Sequence, residues 1–328
     1  MTDILSKFSS IWAPELTDYI KERRQAGFKF ETGAMFLLRL DEYLCTKQLN
    51  EKTFTREMAE ETRHLRPGEA LSSRYGRVCT QRKFWQRMVE LGLTVCVPLK
   101  VSKRFPKFEP HIYTHEEIER YFGAVDTYDY GAAGRMSIAL PVAFRLMYCL
   151  ALRISEVLGL RKCDIDFEHG FITIRVSKNG KERRLPLSEE LLDLLEQYAD
   201  KTFYLLGENS FIFPGQKLGM SVTSGAISLY HREFLHIAGI PYVGEGTGPR
   251  IHDFRHTAAV YMAKQLIDSG LDMYAALPWL SQFLGHSSTQ STEYYLRLAT
   301  ELFPYLSEKM DRAVLEVLKG LEVPYEIE

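Results

Sequence analysis

The sequence contains no apolar run approaching the ~20 residues that a membrane helix requires. Its start, Met1-Thr2-Asp3-Ile4-Leu5-Ser6-Lys7, lacks a basic segment leading into an apolar one, and a cytosolic protein is expected. Cysteine is scarce: Cys45, Cys79, Cys96, Cys149 and Cys163 form no C-x-x-C pair and have no histidine at zinc-ligand distance. They read as reduced thiols, and no structural zinc or disulfide framework is expected. No carboxylate cluster shows the spacing of a Mg²⁺ site, so neither a metal nor another cofactor is expected. What remains is an ordinary globular composition, 45% hydrophobic and 26% charged, in 328 residues, which suggests two domains.

The net charge of −2 conceals a segregated distribution. Between Arg63 and Lys107 eleven basic residues face only Glu69 and Glu90, a local balance of +9. Arg74, Arg77, Arg82, Lys83 and Arg87 recur at spacings that keep several on one helical stripe. Val78, Phe84, Trp85, Met88, Val89 and Leu91 supply an apolar face. A helix so divided can pack inward and meet phosphates outward, although a solvated face would show the same pattern. The acidic compensation lies partly in the tail, where Glu301, Glu308, Asp311, Glu316, Glu322, Glu326 and Glu328 oppose three basic residues.

The first third reads as helices only. Phe8, Ile11, Trp12, Leu16 and Ile20 recur at helical steps through Arg24, as do Met35, Leu38, Leu40 and Leu44 between Glu31 and Thr46. Thr53 or Thr55 can cap a third helix, and a fourth, basic helix spans Ala70 to Leu91. The texture changes after Thr94. Pro98, Pro106 and Pro110 break any helix, while Lys100, Lys103, Arg104 and Lys107 keep the segment basic and extended. A helical domain over 1–105 and a linker over 106–112 follow. The second domain, 113–328, opens with a capping box at Thr114 and Glu117.

In that domain Leu146 to Leu160 reads as a buried helix with Arg153 and Glu156 on one edge, either a packing pair or a functional one. Phe171 to Val176 alternates as a strand, and Asn179-Gly180 is a hairpin turn with Lys178 at its tip. His252 and Arg255 lie three apart on one helical face, with Asp253 in the first turn. His286, in Leu284-Gly285-His286-Ser287-Ser288, precedes Tyr295 by nine positions.

These residue types suit chemistry on a phosphodiester. Negative charge grows on the non-bridging oxygens as a nucleophile adds. Arg153 and Arg255 can meet it with bidentate donors, and His252 and His286 can add further hydrogen bonds. Tyrosine can attack and survive as an ester, and Lys178 can protonate a leaving 5′ oxygen.

The same residues resemble the tyrosine recombinase (phage integrase) family. Its A-L-R-x-S-E-x-x-x-L helix is similar to Ala151-Leu152-Arg153-Ile154-Ser155-Glu156-Val157-Leu158-Gly159-Leu160. Its hairpin lysine, in a K-G-x-K-x-R-x-x-P-L context, resembles Lys178 followed by Lys181, Arg183, Pro186 and Leu187, with Lys181 as a neighbouring alternative. Its H-x-L-R-H box is similar to His252-Asp253-Phe254-Arg255-His256, with phenylalanine where leucine is commoner, and its L-G-H-x-S box supplies His286. Spacing from His286 selects Tyr295 as nucleophile over Tyr294.

The resemblance implies a mainly α, two-domain protein that clamps DNA. Its parts are an N-terminal helical bundle and a mostly α catalytic domain carrying a small antiparallel sheet (α+β). It implies Arg153, Glu156, Lys178, His252, Arg255, His286 and Tyr295 as the catalytic set, working through a 3′-phosphotyrosyl intermediate. The implied partner is double-stranded DNA carrying specific sites, bound by a homotetramer built from a protein monomeric in solution. The implied setting is the cytoplasm at the nucleoid, in a bacterial mobile element, without an arm-binding domain. The tail, with Leu302, Phe303, Leu306, Met310, Val314, Leu315, Val317 and Leu318, docks on its own domain or on a neighbouring protomer. A type IB-like topoisomerase and a non-catalytic DNA-binding regulator are the competing readings.

Overall fold

The computed structural model describes residues 4–103, 109–131, 134–175, 182–217, 219–242, 248–271, 273–286, 290–303 and 305–306. Lys178, Arg104, Lys107 and the tail from residue 307 onward lie outside them. The chain divides into two compact units, Met1–Phe108 and Glu109–Glu328. As the sequence suggested, the described residues are mainly helical with one small antiparallel sheet.

In the first unit, helices α1 (Ala13–Gln25), α2 (Glu31–Thr46), α3 (Arg56–Arg63) and α4 (Leu71–Glu90) follow a single 3-10 turn. Helix α1 begins after the expected Phe8. Pro14 occupies its first turn, where a missing N–H costs nothing, and the amides of Ser9 and Ser10 donate instead to buried Asp41 at 2.8 and 3.1 Å. Thr55, not Thr53, caps α3 by accepting from the Met58 amide at 3.3 Å. The core centres on Trp85, which stacks on Phe54 at 3.9 Å and meets Trp12 edge-on at 4.9 Å.

Three expectations for this unit are corrected. Met35 is exposed, because the inward stripe of α2 runs through Ala34, Leu37, Leu38, Leu40 and Leu44. Val89 and Leu91 at the end of α4 are exposed as well, while Val78, Phe84, Trp85 and Met88 face inward. Arg77 is not on the outward stripe at all; it is fully buried. Its guanidinium donates to both Glu69 oxygens at 2.7 and 2.6 Å, to the His64 carbonyl at 2.8 Å and to the Thr62 carbonyl. Four of its five N–H donors are spent internally and the group is buried, so it is not placed to meet a phosphate.

The second unit starts at α5 (His115–Thr127), where the expected capping box forms: Thr114 Oγ1 accepts from the Glu117 amide and Glu117 accepts from the Thr114 amide. Helix α6 (Gly134–Cys149) follows, then the short α7 (Ile154–Leu158). The single helix expected through Leu146–Leu160 is therefore two. Ala151 sits at φ +49°, a left-handed conformation costing about 1–2 kcal/mol for a residue with a Cβ. Its carbonyl is held there by Arg255 Nη1 at 2.7 Å. The break places Arg153 at the N-cap of α7 instead of inside a helix.

Strands β1 (Ile165–Asp166), β2 (Phe171–Ile174) and β3 (Arg183–Pro186) form the antiparallel sheet in that order, with Ile172 opposite Leu185 and Ile174 opposite Arg183. Helices α8 (Glu189–Thr202), α9 (Ser224–Ile237), α10 (Ile251–Asp268), α11 (Met273–Leu284) and α12 (Gln290–Leu302) complete the unit. Phe254 explains itself here: it stacks on Tyr113 at 5.0 Å and meets Tyr121 edge-on at 4.9 Å. Anchored on that side, α10 turns His252 and Arg255 toward the site. Ala258, Ala259 and Ala263 on α10 pack in a second cluster with Leu280 and Leu284 of α11 and Tyr295 and Ala299 of α12.

Candidate active site

Glu156 lies at the centre of the first half of the site, 2% exposed. Burial raises its carboxyl pKa, but hydrogen bonds and charge from Arg183 and then Arg153 outweigh that and leave it below the ordinary value. Arg153 donates from Nη1 to Oε1 at 2.8 Å and from its backbone amide to Oε2 at 3.0 Å. The remaining donors of the Arg153 side chain make no hydrogen bond among the described residues. The pair is thus more than packing: Glu156 orients Arg153 and leaves part of its fork unspent.

Arg255 is 1% exposed and joins three segments. Besides the Ala151 carbonyl, it donates from Nη2 to the Leu284 carbonyl at 2.5 Å and to His286 Nε2 at 3.1 Å. Burial, then repulsion by Arg153, lowers its pKa to about 10, so it stays cationic at neutral pH. Because Arg255 can only donate, His286 Nε2 is the accepting nitrogen. The proton then sits on Nδ1, which donates to buried Thr292 Oγ1 at 2.9 Å. Burial and the charges of Arg255 and Arg153 push His286 down to about 4, in agreement with a neutral ring.

His252 stands at the rim, with water reaching its ring. Partial desolvation, then the charges of Arg255, Arg153 and Arg250, lowers its basicity. Since the ring is exposed, the three cationic neighbours are the part of that effect that a bound phosphate would reverse.

Tyr295 is 4% exposed and sits flat against His286, ring centroids 5.8 Å apart. His256 approaches its ring at 5.4 Å. Burial raises the phenol's pKa, while the charge of Arg255, a hydrogen bond to Arg255 and the charge of Arg153 pull it back. Tyr294 is half-buried, with the Arg297 guanidinium 5.5 Å and His256 6.3 Å from its ring.

The structure brings Arg153, Glu156, His252, Arg255, His286 and Tyr295 of the expected set into one cluster, and Lys178 falls outside the described residues. Two members were missed. Arg183 on β3 forks onto Glu156 at 3.1 and 2.9 Å, and His256 lies against Tyr295. The signal for Arg183 was its register: it alternates with buried Leu185, so an arginine on that side needed a carboxylate.

The expected DNA contacts in the first unit divide by what already holds them. Lys83, Lys100 and Lys103 are exposed. Arg74 donates to the Arg63 carbonyl at 2.9 Å, Arg82 to the Pro98 carbonyl, and Arg87 pairs with Glu22 and Glu90, each at 3.3 Å.

The family profile described as the phage integrase family matches residues 112–301. Tyrosine recombinase XerD of Proteus mirabilis is 28% identical over 283 residues, covering 82% of this chain and 82% of its own length. Tyrosine recombinase XerA of Pyrococcus furiosus is 28% identical over 226 residues, 67% of this chain and 68% of its own. Among solved structures, XerH site-specific recombinase bound to palindromic difH substrate in a post-cleavage complex aligns with a TM-score of 0.63. It is 19% identical and covers 84% of this chain and 78% of that one. The Tn1549 transposon integrase in complex with transposon right end DNA gives 0.63 at 18% identity, over 93% and 99%. That likeness is one of fold; the family match spans more than half the sequence and takes in every described member of the arginine, histidine and tyrosine cluster. The chain belongs to the phage integrase family, the family of the tyrosine recombinases.

Proposed function

We propose that this enzyme cuts and rejoins DNA at specific sites through a 3′-phosphotyrosyl intermediate, exchanging strands within a tetrameric synapse. The observation that carries the reading is Tyr295, buried and stacked on His286, which Arg255 holds by a hydrogen bond, with the charges of Arg255 and Arg153 acting on its phenol. A scissile phosphate entering there would find two guanidinium groups for its non-bridging oxygens and the exposed imidazole of His252 as a further donor. Its own charge would offset the positive charge that Arg153 and Arg255 bring together there.

In the proposed step Tyr295 Oη bonds to phosphorus as the P–O5′ bond breaks, the phenolic proton passing to a neutral histidine. Lys178 gives the departing 5′ oxygen its proton. The ester keeps the bond energy, so a 5′-hydroxyl from another strand can reverse the reaction without a nucleotide cofactor. Residues 1–105 would serve as the core-binding domain and 113–328 as the catalytic domain, the two clamping duplex DNA. Exposed Lys83, Lys100 and Lys103 are the phosphate contacts we propose for the first. The relatives' names and the site chemistry support a recombinase; a bacterial mobile element as its source and the cytoplasm at the nucleoid as its setting belong to the same proposal.

The test is covalent trapping on a nicked suicide substrate made from DNA flanking the gene, resolved on a denaturing gel. An adduct formed by the wild type and absent in Tyr295→Phe is the expected result. A protein that shifts that DNA on a native gel and never forms the adduct is a regulator, and the proposal falls. Relaxation of supercoiled plasmid lacking the site would move the assignment to a topoisomerase.

A further inference from the structure

Arg183 makes contacts that the catalytic set does not account for. Its side chain is 8% exposed, and Nη1 and Nη2 donate to Glu156 Oε1 and Oε2 at 3.1 and 2.9 Å. Its Nε donates to the Phe283 carbonyl, in the last turn of α11, at 3.0 Å. A Cβ placed on Gly285 would lie 2.7 Å from its Nη1, so the backbone just before His286 passes directly over the guanidinium. One planar group on β3 thereby touches the carboxylate under Arg153 and the turn that presents His286.

The charge arithmetic gives this a purpose. Glu156 facing Arg153 alone would cancel much of the positive field that a phosphate needs. Shared with Arg183, the same carboxylate is neutralised twice over, and Arg153 retains its charge and part of its fork. The carboxylate also stays ionised despite its burial, because two guanidinium groups hold it. Among the described residues, Arg255 and His252 on α10 also feel its charge, and Arg161, Asp164 and Arg175 line the same small pocket as Glu156. An arginine placed for packing alone would need neither the bidentate geometry toward Glu156 nor the second anchor on α11.

We infer that Arg183 is a positioning residue of this active site: by gripping Glu156 and the Phe283 carbonyl together, it sets Arg153 and His286 in register for one phosphate. The inference rests on the proposed strand-transfer reading for its catalytic meaning. The geometric grip on Glu156 can be measured without that reading.

Two readouts on full-length protein test it. The first is the titration of the Glu156 carboxyl carbon by NMR, in wild type and in Arg183→Ala, with Glu156→Gln assigning the signal. Loss of one cationic partner should raise the carboxyl midpoint by about 1–3 pH units. The second is the single-turnover rate of adduct formation from pH 5.5 to 8.5 at saturating DNA. Arg183→Ala should lose about tenfold or more at pH 6 and less at pH 8, with DNA affinity kept within about threefold, because the group lost is a buried one. In Arg183→Ala/Glu156→Gln the added acid limb should vanish. Arg183→Lys, which keeps the charge without the fork, should fall between, and it carries the same two measurements if the alanine variant does not fold.

A Glu156 midpoint unmoved by Arg183→Ala or Arg183→Lys overturns the inference. So does an activity loss that is equal at every pH, or an acid limb that survives Glu156→Gln. Should the wild type form no adduct while the midpoint still moves, the strand-transfer reading falls and the grip of Arg183 on Glu156 stands.

Discussion

The imidazole of His286 lies against the phenol of Tyr295 with ring centroids 5.8 Å apart and planes 7° from parallel. The two residues are nine positions apart, and the contact arises because α12 returns across α10 immediately after the His286 turn. Since His286 is itself fixed between Arg255 and Thr292, its flat face fixes where the Tyr295 ring can lie. Tyr295→Phe should therefore leave the fold intact and abolish the covalent adduct, whereas Tyr294→Phe should keep its rate within about threefold. An adduct on the denaturing gel that persists in Tyr295→Phe and disappears in Tyr294→Phe would reverse the assignment.

The two arginines should fail in different ways. Arg255 satisfies the carbonyls of Ala151 and Leu284, so Arg255→Ala leaves two buried acceptors orphaned at about 1–3 kcal/mol each. Arg153 is partly exposed and its partner Glu156 keeps Arg183, so Arg153→Ala should cost no more than about 1–2 kcal/mol. Both variants should lose adduct formation by a factor of about 100 or more. Urea unfolding distinguishes them: equal midpoints would show that Arg255 does not carry the structural role its contacts describe.

Much of this was legible before the fold was known, and what escaped has a common cause. The Thr114 capping box, the strand at Phe171 and the His252–Arg255 step are local patterns, and local patterns survive folding. Ala151 is different: Leu150-Ala151-Leu152 has every mark of a continuing helix, and the donor that meets its carbonyl in the left-handed turn comes from Arg255, 104 residues later. Arg77 looked like one of several stripe residues because its partner Glu69 lies across a loop, outside helical periodicity. Arg183 was visible as a motif letter, while its purpose depends on Glu156 and Phe283, distant in sequence on either side. Long-range pairing of charged groups is what single-sequence spacing does not encode.

Arg77 and Lys83 should accordingly part company. Arg77→Ala strips a buried ion pair and two carbonyl acceptors and should destabilise the protein by about 3–5 kcal/mol. Lys83→Ala, on the exposed side of α4, should change stability by no more than about 0.5 kcal/mol. In DNA titrations over a range of salt, Lys83→Ala should reduce the slope of log affinity against log salt by about 1. An unchanged slope would remove Lys83 from the interface.

Acid should weaken the second unit through His231. This residue is 3% exposed on α9, is hydrogen-bonded through Nδ1 to the Tyr121 hydroxyl at 2.8 Å and is depressed to about 4 by burial. The unfolded chain takes up its proton near pH 6.5 and the folded one only near 4. Stability is therefore fully present above pH 6.5 and is lost as pH falls toward 4, by roughly 3 kcal/mol for this one group. His286 and His256, also depressed, act in the same direction. Thermal melting of His231→Gln should show a visibly shallower fall between pH 6.5 and 4 than the wild type. Parallel curves would assign the acid sensitivity to the other histidines.

Gly285 and Gly270 offer a matched pair for separating backbone strain from collision. Both have positive φ, +64° and +87°, so alanine at either costs about 1–2 kcal/mol of conformational strain. At Gly270 a Cβ meets nothing within 4 Å; at Gly285 it would lie 2.7 Å from Arg183 Nη1 and 3.0 Å from its Cζ. The guanidinium cannot yield there without loosening its hold on Glu156 and the Phe283 carbonyl. Gly270→Ala should thus lower the melting temperature by a few degrees, at about 2–4 °C per kcal/mol for a domain of this size, and leave adduct formation at the wild-type rate. Gly285→Ala should show a similar drop in melting temperature together with a loss of rate of about tenfold or more, since a small displacement of catalytic donors is costly. If both variants cut DNA equally well, the turn before His286 tolerates movement of Arg183, and the tight approach is packing without consequence for the chemistry.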